Sequence, residues 1–192
     1  TISTVVFASG DYVNNAEDES AIDLVITMSD TSANGRVATA TLNSAAYVCT
    51  ISSTACTASI TSAGLKDLTD GTSYSFSVAI SDAAGNAATA HTAESFIYDI
   101  TVAAASESTA VTTPTKDTTP DAIISVAEVG TIAVGGTAGC ALSSTATMAS
   151  GTNTITLGTF STNQAYVCTV TFTDDAGNAA SALDLTSFTL DT

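Results

Sequence analysis

The stretch Ser81-Asp82-Ala83-Ala84-Gly85-Asn86-Ala87-Ala88, which leads to Phe96-Ile97-Tyr98-Asp99, occurs twice in this chain. The second copy begins 92 positions later, reads Thr173-Asp174-Asp175-Ala176-Gly177-Asn178-Ala179-Ala180, and leads to Phe188-Thr189-Leu190-Asp191. A further block matches after a one-residue gap, with Cys49-Thr50-Ile51-Ser52 equivalent to Cys140-Ala141-Leu142-Ser143. A fixed period of this length indicates tandem copies of one folding unit. The repeat therefore predicts two domains, residues 1–100 and residues 101–192.

Short runs of alternating apolar and polar residues recur in both copies and predict strands. Tyr74-Ser75-Phe76-Ser77-Val78-Ala79-Ile80 places four large apolar side chains on one face, and Tyr166-Val167-Cys168-Thr169-Val170-Thr171-Phe172 repeats the pattern. Residues 22–27 and 153–157 give two further strands. Turns rich in Gly, Asn and Asp separate the runs and no helical period is sustained, so each copy is predicted to be an all-β sandwich.

The boundary between the copies is expected near Ile100-Thr101. The alignment places Thr101-Val102-Ala103-Ala104-Ala105-Ser106 where Thr4-Val5-Val6-Phe7-Ala8-Ser9 opens the first copy. This stretch is therefore predicted to form a first strand, followed by a bend that contains Pro114 and Pro120, rather than a disordered linker. Both ends of the chain coincide with repeat boundaries, which is typical of an excerpt from a longer array or of a subunit that continues head to tail.

The charge balance restricts the partners of the chain. Nineteen acidic residues face three basic ones, and the formal net charge is −16. Nucleic acid and anionic membrane surfaces need clustered Lys and Arg, so neither is expected as a partner. A divalent cation or a basic surface suits this charge better, and solubility alone is the alternative explanation. No run approaches the roughly 20 apolar residues that span a bilayer, and direct membrane insertion is not expected.

The four cysteines favour one disulfide in each copy. The second copy offers only Cys140 and Cys168, with 27 residues between them, and Cys168 aligns with the predicted core position Phe76. In the first copy, Cys49 and Cys56 have six residues between them, which suits a bridge across a hairpin. Zinc is disfavoured because no Cys-x-x-Cys pair occurs, and free thiols remain the other alternative. Disulfides imply an oxidising, extracellular setting.

Taken together, these motifs resemble the immunoglobulin-like repeats of large bacterial cell-surface and adhesin-type proteins. The resemblance rests on the Asp-x-Ala-Gly-Asn turns at Asp82 and Asp174, the terminal Phe96 and Phe188, the cysteines, and an Asp-Thr-Thr-x-Pro-like junction. At Ile100 the sequence departs from the Thr that is usual at this junction. The resemblance implies tandem immunoglobulin-like β-sandwiches with a stalk, adhesion or assembly role and neighbouring repeats or copies of itself as partners.

A calcium site is one interpretation of the acidic turns. The turn that joins the last two strands of the second copy, the end of the first copy and the loop after its first strand are expected to meet at the junction. The predicted ligands are Asp99, Asp174, Asp175, Asn178, Glu17 and Asp18. Ca²⁺ takes six to eight oxygen ligands, which these residues could supply. The alternative is turn chemistry, in which Asp caps the turn through its own backbone, Gly and Asn tolerate positive φ, and the acidic rim is solvated.

Three functional hypotheses remain, and none is an enzyme. His91 is the only histidine and is expected on the surface, and Gly135-Gly136 precedes no helix that could bind a phosphate. The leading hypothesis is a rigid stalk module of an extracellular bacterial surface protein. The alternative is a filament subunit that joins head to tail, or that donates residues 1–7 as a strand to a neighbour. A ligand-binding, lectin-like tip has the least support, because such tips usually carry exposed aromatic residues on loops.

Overall fold

The chain folds into two compact units, residues Thr1–Thr101 and Val102–Thr192. The computed structural model describes residues 1–82, 84–89, 91–102, 104–144 and 146–192, with no side-chain description at 92–94. Ala83 of the first repeated turn, Ala103 of the predicted first strand and Thr145 of the second cysteine block lie outside the described residues. Within the described part of the chain, no helix has both the length and the apolar character needed to cross a membrane.

The described residues of the first unit form eight strands in two sheets. The strands are β1 (Ile2–Phe7), β2 (Tyr12–Val13), β3 (Ile22–Met28), β4 (Val37–Leu42), β5 (Ala45–Thr50), β6 (Ala55–Ile60), β7 (Thr72–Ala79) and β8 (His91–Tyr98). One sheet has the order β1-β3-β6 and the other has the order β2-β8-β7-β4-β5. All pairs are antiparallel except β2 with β8. A 3₁₀ turn (Thr31–Ala33) and the short helix α1 (Ser62–Lys66) lie in the connections.

The apolar alternation of the strands builds the core of the first unit. On β3, Leu24 and Ile26 are fully buried, whereas the intervening Val25 is exposed. On the opposite sheet, Phe76 and Phe96 lie inside, and the Phe7 ring on β1 packs against both, with centroid distances of 5.0 Å and 4.8 Å. Successive strand residues point to opposite faces, so these alternating patterns fix which face of each sheet is inside.

The second unit repeats this arrangement with shorter strands. Its described strands are β9 (Ser106–Thr109), β10 (Asp121–Val126), β11 (Gly130–Gly136), β12 (Thr147–Met148), β13 (Gly151–Thr156), β14 (Ala165–Tyr166), β15 (Cys168–Asp174), β16 (Leu183–Asp184) and β17 (Phe188–Thr189). The sheets have the orders β9-β10-β13, β12-β11-β15-β16 and β14-β17. The first of these matches β1-β3-β6, so both units are β-sandwiches of one topology.

Two strand predictions in the second unit need correction. The strand that pairs with β10 begins at Ser106 rather than at Thr101. The predicted strand from Tyr166 to Phe172 is broken at Val167. Tyr166 pairs with Phe188 on β17, whereas Cys168 pairs with Gly136 on β11. The ladder with β11 ends at Val167, whose N–H donates to the Thr137 hydroxyl at 3.1 Å instead of to a main-chain carbonyl.

Both predicted disulfides are present in the structure. Cys49 on β5 bonds to Cys56 on β6, and because these strands lie in different sheets, the bridge connects the two sheets beside the Ser52–Ala55 turn. Cys140, in the connection after β11, bonds to Cys168 on β15, where the sulfur is buried in the core. Each unit is therefore closed by its own covalent link.

Candidate functional site

The loops of the first unit collect at its two ends. At one end, the Gly35 N–H donates to Ile51 and the Thr54 N–H donates to the Asn34 side chain; the Asp82 turn follows β7 there. We call this the Asp82 end. At the other end, the loop after β1 contacts helix α1, because the Ser62 hydroxyl donates to the Asp18 carbonyl at 2.6 Å. We call this the Asp18 end.

Asp18 is a buried carboxylate with one oxygen unused. Its side chain is only 2% exposed. Oδ2 accepts a hydrogen bond from the Tyr98 hydroxyl at 2.7 Å, whereas Oδ1 is shielded from solvent and has no partner in the described structure. Burying a polar oxygen without a hydrogen bond costs free energy, and the cost is greater if the group is charged. Asp18 Oδ1 is therefore a position where a hard cation would satisfy an otherwise uncompensated oxygen.

The pKa of Tyr98 reflects the negative charge at the Asp18 end. Burial raises the pKa of its hydroxyl well above the usual range, and the hydrogen bond to Asp18 raises it further. The charges of Asp18, Asp70 and Glu19 act in the same direction. Several carboxylates therefore act on one buried point at this end of the unit, and negative charge accumulates there.

Asp70 has a structural role that the sequence analysis missed. Its carboxylate accepts hydrogen bonds from the Thr101 hydroxyl and from the Ile100 N–H, the latter at 2.8 Å. These bonds, the one from Thr101 first, lower the pKa of Asp70. Glu19 is also occupied, by Lys66 on α1 at 2.8 Å. The Asp70-Gly71 pair before β7 was the available sequence signal, but spacing alone did not connect it to residues thirty positions later.

The remaining predicted ligands of the first unit, Glu17 and Asp99, lie at the same end and make hydrogen bonds there. Glu17 Oε2 already accepts from the Ser9 hydroxyl at 3.0 Å and from the Asn14 N–H at 3.1 Å, so it orders its own loop. Asp99 follows Tyr98 directly, and its N–H donates to Val13 at 2.9 Å. The structure thus brings Glu17, Asp18 and Asp99 to one end of the first unit, and their joint binding of an ion stays a prediction.

The Asp174 turn of the second unit has the turn chemistry that the sequence predicts. Asp174 Oδ1 accepts the Asn178 N–H at 2.8 Å, and Oδ2 accepts the Asn178 side-chain amide at 3.1 Å. Gly177 has a φ of 93°, which favours glycine. Asn178 is not among the described residues with positive φ, and its side-chain amide hydrogen-bonds the aspartate.

The Asp82 turn of the first unit has the same hydrogen bonds. Asp82 Oδ1 accepts the Asn86 N–H at 2.9 Å and Oδ2 accepts the Asn86 amide at 3.0 Å. The two turns differ in burial. Asp174 and Asn178 are 6% and 4% exposed, whereas Asn86 is exposed and Asp82 is half-buried. Asp175 is exposed. That these second-unit residues and Asp99 together form one calcium site stays a prediction.

His91 is not the surface histidine that the sequence suggested. It begins β8 and is half-buried, and its Nδ1 is shielded from solvent without a hydrogen-bond partner in the described structure. The β7–β8 register pairs His91 with Val78, whose side chain lies in the core. The strand pairing therefore turns the imidazole inward.

Comparison with known proteins places the fold but not a family. No known protein family matches the chain, and no curated protein does. Among solved structures, the fibronectin(III)-like modules of Clostridium thermocellum CbhA match with a TM-score of 0.53 and 10% identity, over 97% of this chain and 93% of that one.

Two bacterial adhesins also match. A Ca²⁺-stabilised adhesin that helps an Antarctic bacterium bind ice has a TM-score of 0.52 and 20% identity, over all of this chain and 49% of that one. A 1.5-MDa bacterial ice-binding adhesin has a TM-score of 0.53 and 20% identity, over all of this chain and 63% of that one. The chain thus spans about half to two-thirds of these adhesin chains, and it has the immunoglobulin- and fibronectin-like β-sandwich fold seen in bacterial adhesins.

Proposed function

We propose that this chain is a structural repeat module of an extracellular bacterial surface protein, and that it acts as a stalk rather than as an enzyme. The carrying observation is the duplication of one sandwich topology within a single chain, with each copy closed by its own disulfide. A covalently closed sandwich resists unfolding, which a projecting stalk requires. The fold likeness to two bacterial adhesins supports the same role.

The form of the filament hypothesis that relies on strand donation has less support. The predicted donor strand, residues 1–7, is used within its own unit: β1 pairs with β3 and buries Val5 and Phe7 in the core. Donation would require this strand to leave a complete sandwich. Head-to-tail association without strand exchange remains the form of the alternative that needs testing.

Negative-stain electron microscopy of the purified 192-residue chain separates the two functions. Short particles of uniform length that hold two domains are expected for a stalk module. Long fibres whose axial repeat contains two domains would instead make the chain a polymer subunit. The concentration dependence of the sedimentation coefficient provides an independent measurement of the same difference.

We also propose that Ca²⁺ stabilises the acidic ends of the units, with Asp18 and Asp99 as ligands in the first unit and Asp174, Asp175 and Asn178 in the second. The unpartnered, buried Asp18 Oδ1 supports this, since Ca²⁺ prefers carboxylate oxygens. Glu17 would order the loop. Binding to the folded state at one hundred times the dissociation constant would add about 2.7 kcal/mol to the free energy of unfolding.

Thermal unfolding with calcium and with EDTA tests this proposal. Calcium is expected to raise the melting temperature of the parent chain, and Asp18→Asn and Asp174→Ala should each reduce the increment. Asp121→Asn is the matched control, because Asp121 is an exposed acid at the start of β10 and is not among the proposed ligands. Identical melting curves of the parent chain with calcium and with EDTA would contradict the calcium site.

A further inference from the structure

The chain has a single arginine, and that arginine lies on a surface groove. Arg36 immediately precedes β4 at the Asp82 end of the first unit and is half-buried. The groove has a volume of about 450 Å³ and runs between the beginning of β4 and the end of β7. Its lining includes Arg36, Val37, Thr39, Ala79, Ser81 and Asp82.

The charge of Arg36 has no ion-pair partner among the residues that the structure describes. In the part of the chain that the structure describes, the ion pairs join Lys66 to Glu19 and the terminal amine to Asp30, and none involves Arg36. Its hydrogen bonds run from the main chain: the N–H donates to Ala33, and the carbonyl accepts the Ile51 N–H at 2.8 Å. Among the described residues, no carboxylate pairs with the half-buried Arg36, so its five guanidinium donors are available to a ligand.

Asp82, on the rim of the same groove, does not neutralise Arg36. Both of its carboxylate oxygens accept hydrogen bonds from Asn86 within the turn. The Asn86 side chain and N–H lower the pKa of Asp82, so the group is ionised at neutral pH. It therefore repels a second anionic group, yet it can still accept a hydrogen bond from a neutral hydroxyl.

The other lining groups complete a mixed surface. Thr39 and Ser81 offer hydroxyls, while Val37, which is 54% exposed, and Ala79 offer aliphatic surface. Pockets of roughly 300–1,000 Å³ that combine apolar surface with a few polar groups are typical small-molecule sites. The groove therefore has more room than one side-chain carboxylate needs, and it offers both hydroxyl and aliphatic contacts around the charge.

We infer that this groove binds a carboxylated sugar residue of a glycan, with the Arg36 guanidinium on the sugar carboxylate. Thr39, Ser81 and Asp82 would contact ring hydroxyls, and Val37 and Ala79 would pack against ring C–H groups. A sugar with one carboxylate suits this groove better than an acidic protein does, because Asp82 repels ligands with several carboxylates. The same repulsion acts against a second copy of this chain, whose net charge is −16. The site stands independently of the stalk role.

An NMR titration of the ¹⁵N-labelled chain with methyl β-D-glucuronide tests the site, with methyl β-D-glucoside as the neutral match. Salt at about 0.15 M keeps the Debye length near 8 Å and so screens the general repulsion of anions. The glucuronide is expected to shift the amide signals of Val37, Thr39 and Ser81, and the glucoside is expected to bind at least about tenfold more weakly, since hydrogen bonds to charged groups are the strong ones.

Arg36→Gln should weaken glucuronide binding about tenfold or more, while Lys116→Gln, which removes an exposed cation elsewhere, should leave it unchanged. An unchanged circular dichroism melting curve would show that Arg36→Gln still folds. Equal binding of the two sugars, or binding that survives Arg36→Gln, would overturn the inference. So would shifts at the groove that appear only on adding an acidic peptide or on raising the protein concentration, since these indicate a protein partner.

Discussion

Removal of the two disulfides one at a time should destabilise the units unequally. In the chain-entropy account, the stabilisation grows with the logarithm of the loop that the bridge closes. The Cys140–Cys168 bridge has a sequence separation of 28 and the Cys49–Cys56 bridge a separation of 7. These lengths give about 3.6 kcal/mol and about 2.4 kcal/mol at 25 °C. Loss of the longer loop should therefore cost about 1.2 kcal/mol more.

The assay is differential scanning calorimetry of two double variants, Cys49→Ala with Cys56→Ala and Cys140→Ala with Cys168→Ala. At roughly 4–8 °C per kcal/mol for units of this size, the second variant should lower the melting temperature of its unit by about 5–10 °C more than the first lowers that of its own. Cys168 is buried and Cys49 is half-buried, so lost packing acts in the same direction.

Chemical reduction of the parent chain controls for packing, because it breaks the bonds while leaving the sulfur atoms in place. It should reproduce the order of the two effects. If removal of Cys49–Cys56 destabilises its unit as much as or more than removal of Cys140–Cys168, the loop-entropy argument is wrong for this fold. The short bridge would then act mainly by holding the two sheets together in the native state.

Two further predictions concern the Asp18 end of the first unit. Tyr98→Phe leaves both buried Asp18 oxygens without a donor, so it should lower the free energy of unfolding, measured in urea, by about 2–3 kcal/mol. The control Tyr166→Phe loses a neutral hydrogen bond to Thr162 and should lower it by about 1 kcal/mol. Equal losses for the two variants would mean that Asp18 is solvated. The pKa of Asp70 is lowered below its ordinary 3.8 by Thr101 and Ile100, so its stabilisation is present above pH 3.8 and is lost as the pH falls through the lower, folded-state value. Asp70→Asn should therefore flatten the acid limb of the stability curve of the first unit, and an acid limb identical to that of the parent chain would rule out this role.

Much of the sandwich was accessible from the sequence because period-two alternation is a local signal. The Tyr74–Ile80 run places Phe76 and Val78 in the core, as predicted. The repeat extended the same prediction to the second copy. The cysteine pairs were accessible because each copy offered one pairing. The break at Val167 could not be predicted, because the alternation continues through it and the Val167 N–H donates to the Thr137 side chain rather than to the main chain.

The candidate sites were harder to predict because they depend on contacts between distant residues. The acidity of residues 17–19 was visible, but nothing local indicated that Asp18 would be buried against Tyr98, eighty positions away. Likewise, the role of Asn178 was assigned from its tolerance of positive φ, whereas its amide is used by Asp174. The sequence did not single out Arg36, because only the fold shows that no described carboxylate forms an ion pair with it.

The equivalent cysteines Cys49 and Cys140 have partners at different places in the two units. We explain this by a difference at the same edge of the sheet. In the first unit, the edge strand β5 pairs with β4 over six residues, and its cysteine bonds to β6 in the other sheet. In the described part of the second unit, the strand at the corresponding edge is β12, which pairs with β11 at two positions. The chain around Cys140 therefore has little ladder to hold it, and the bond to Cys168 on the central strand β15 fastens it to the core instead. The disulfide therefore fastens a segment that lies outside the regular strands, so amide hydrogens in the loop around Cys140 should exchange faster after reduction.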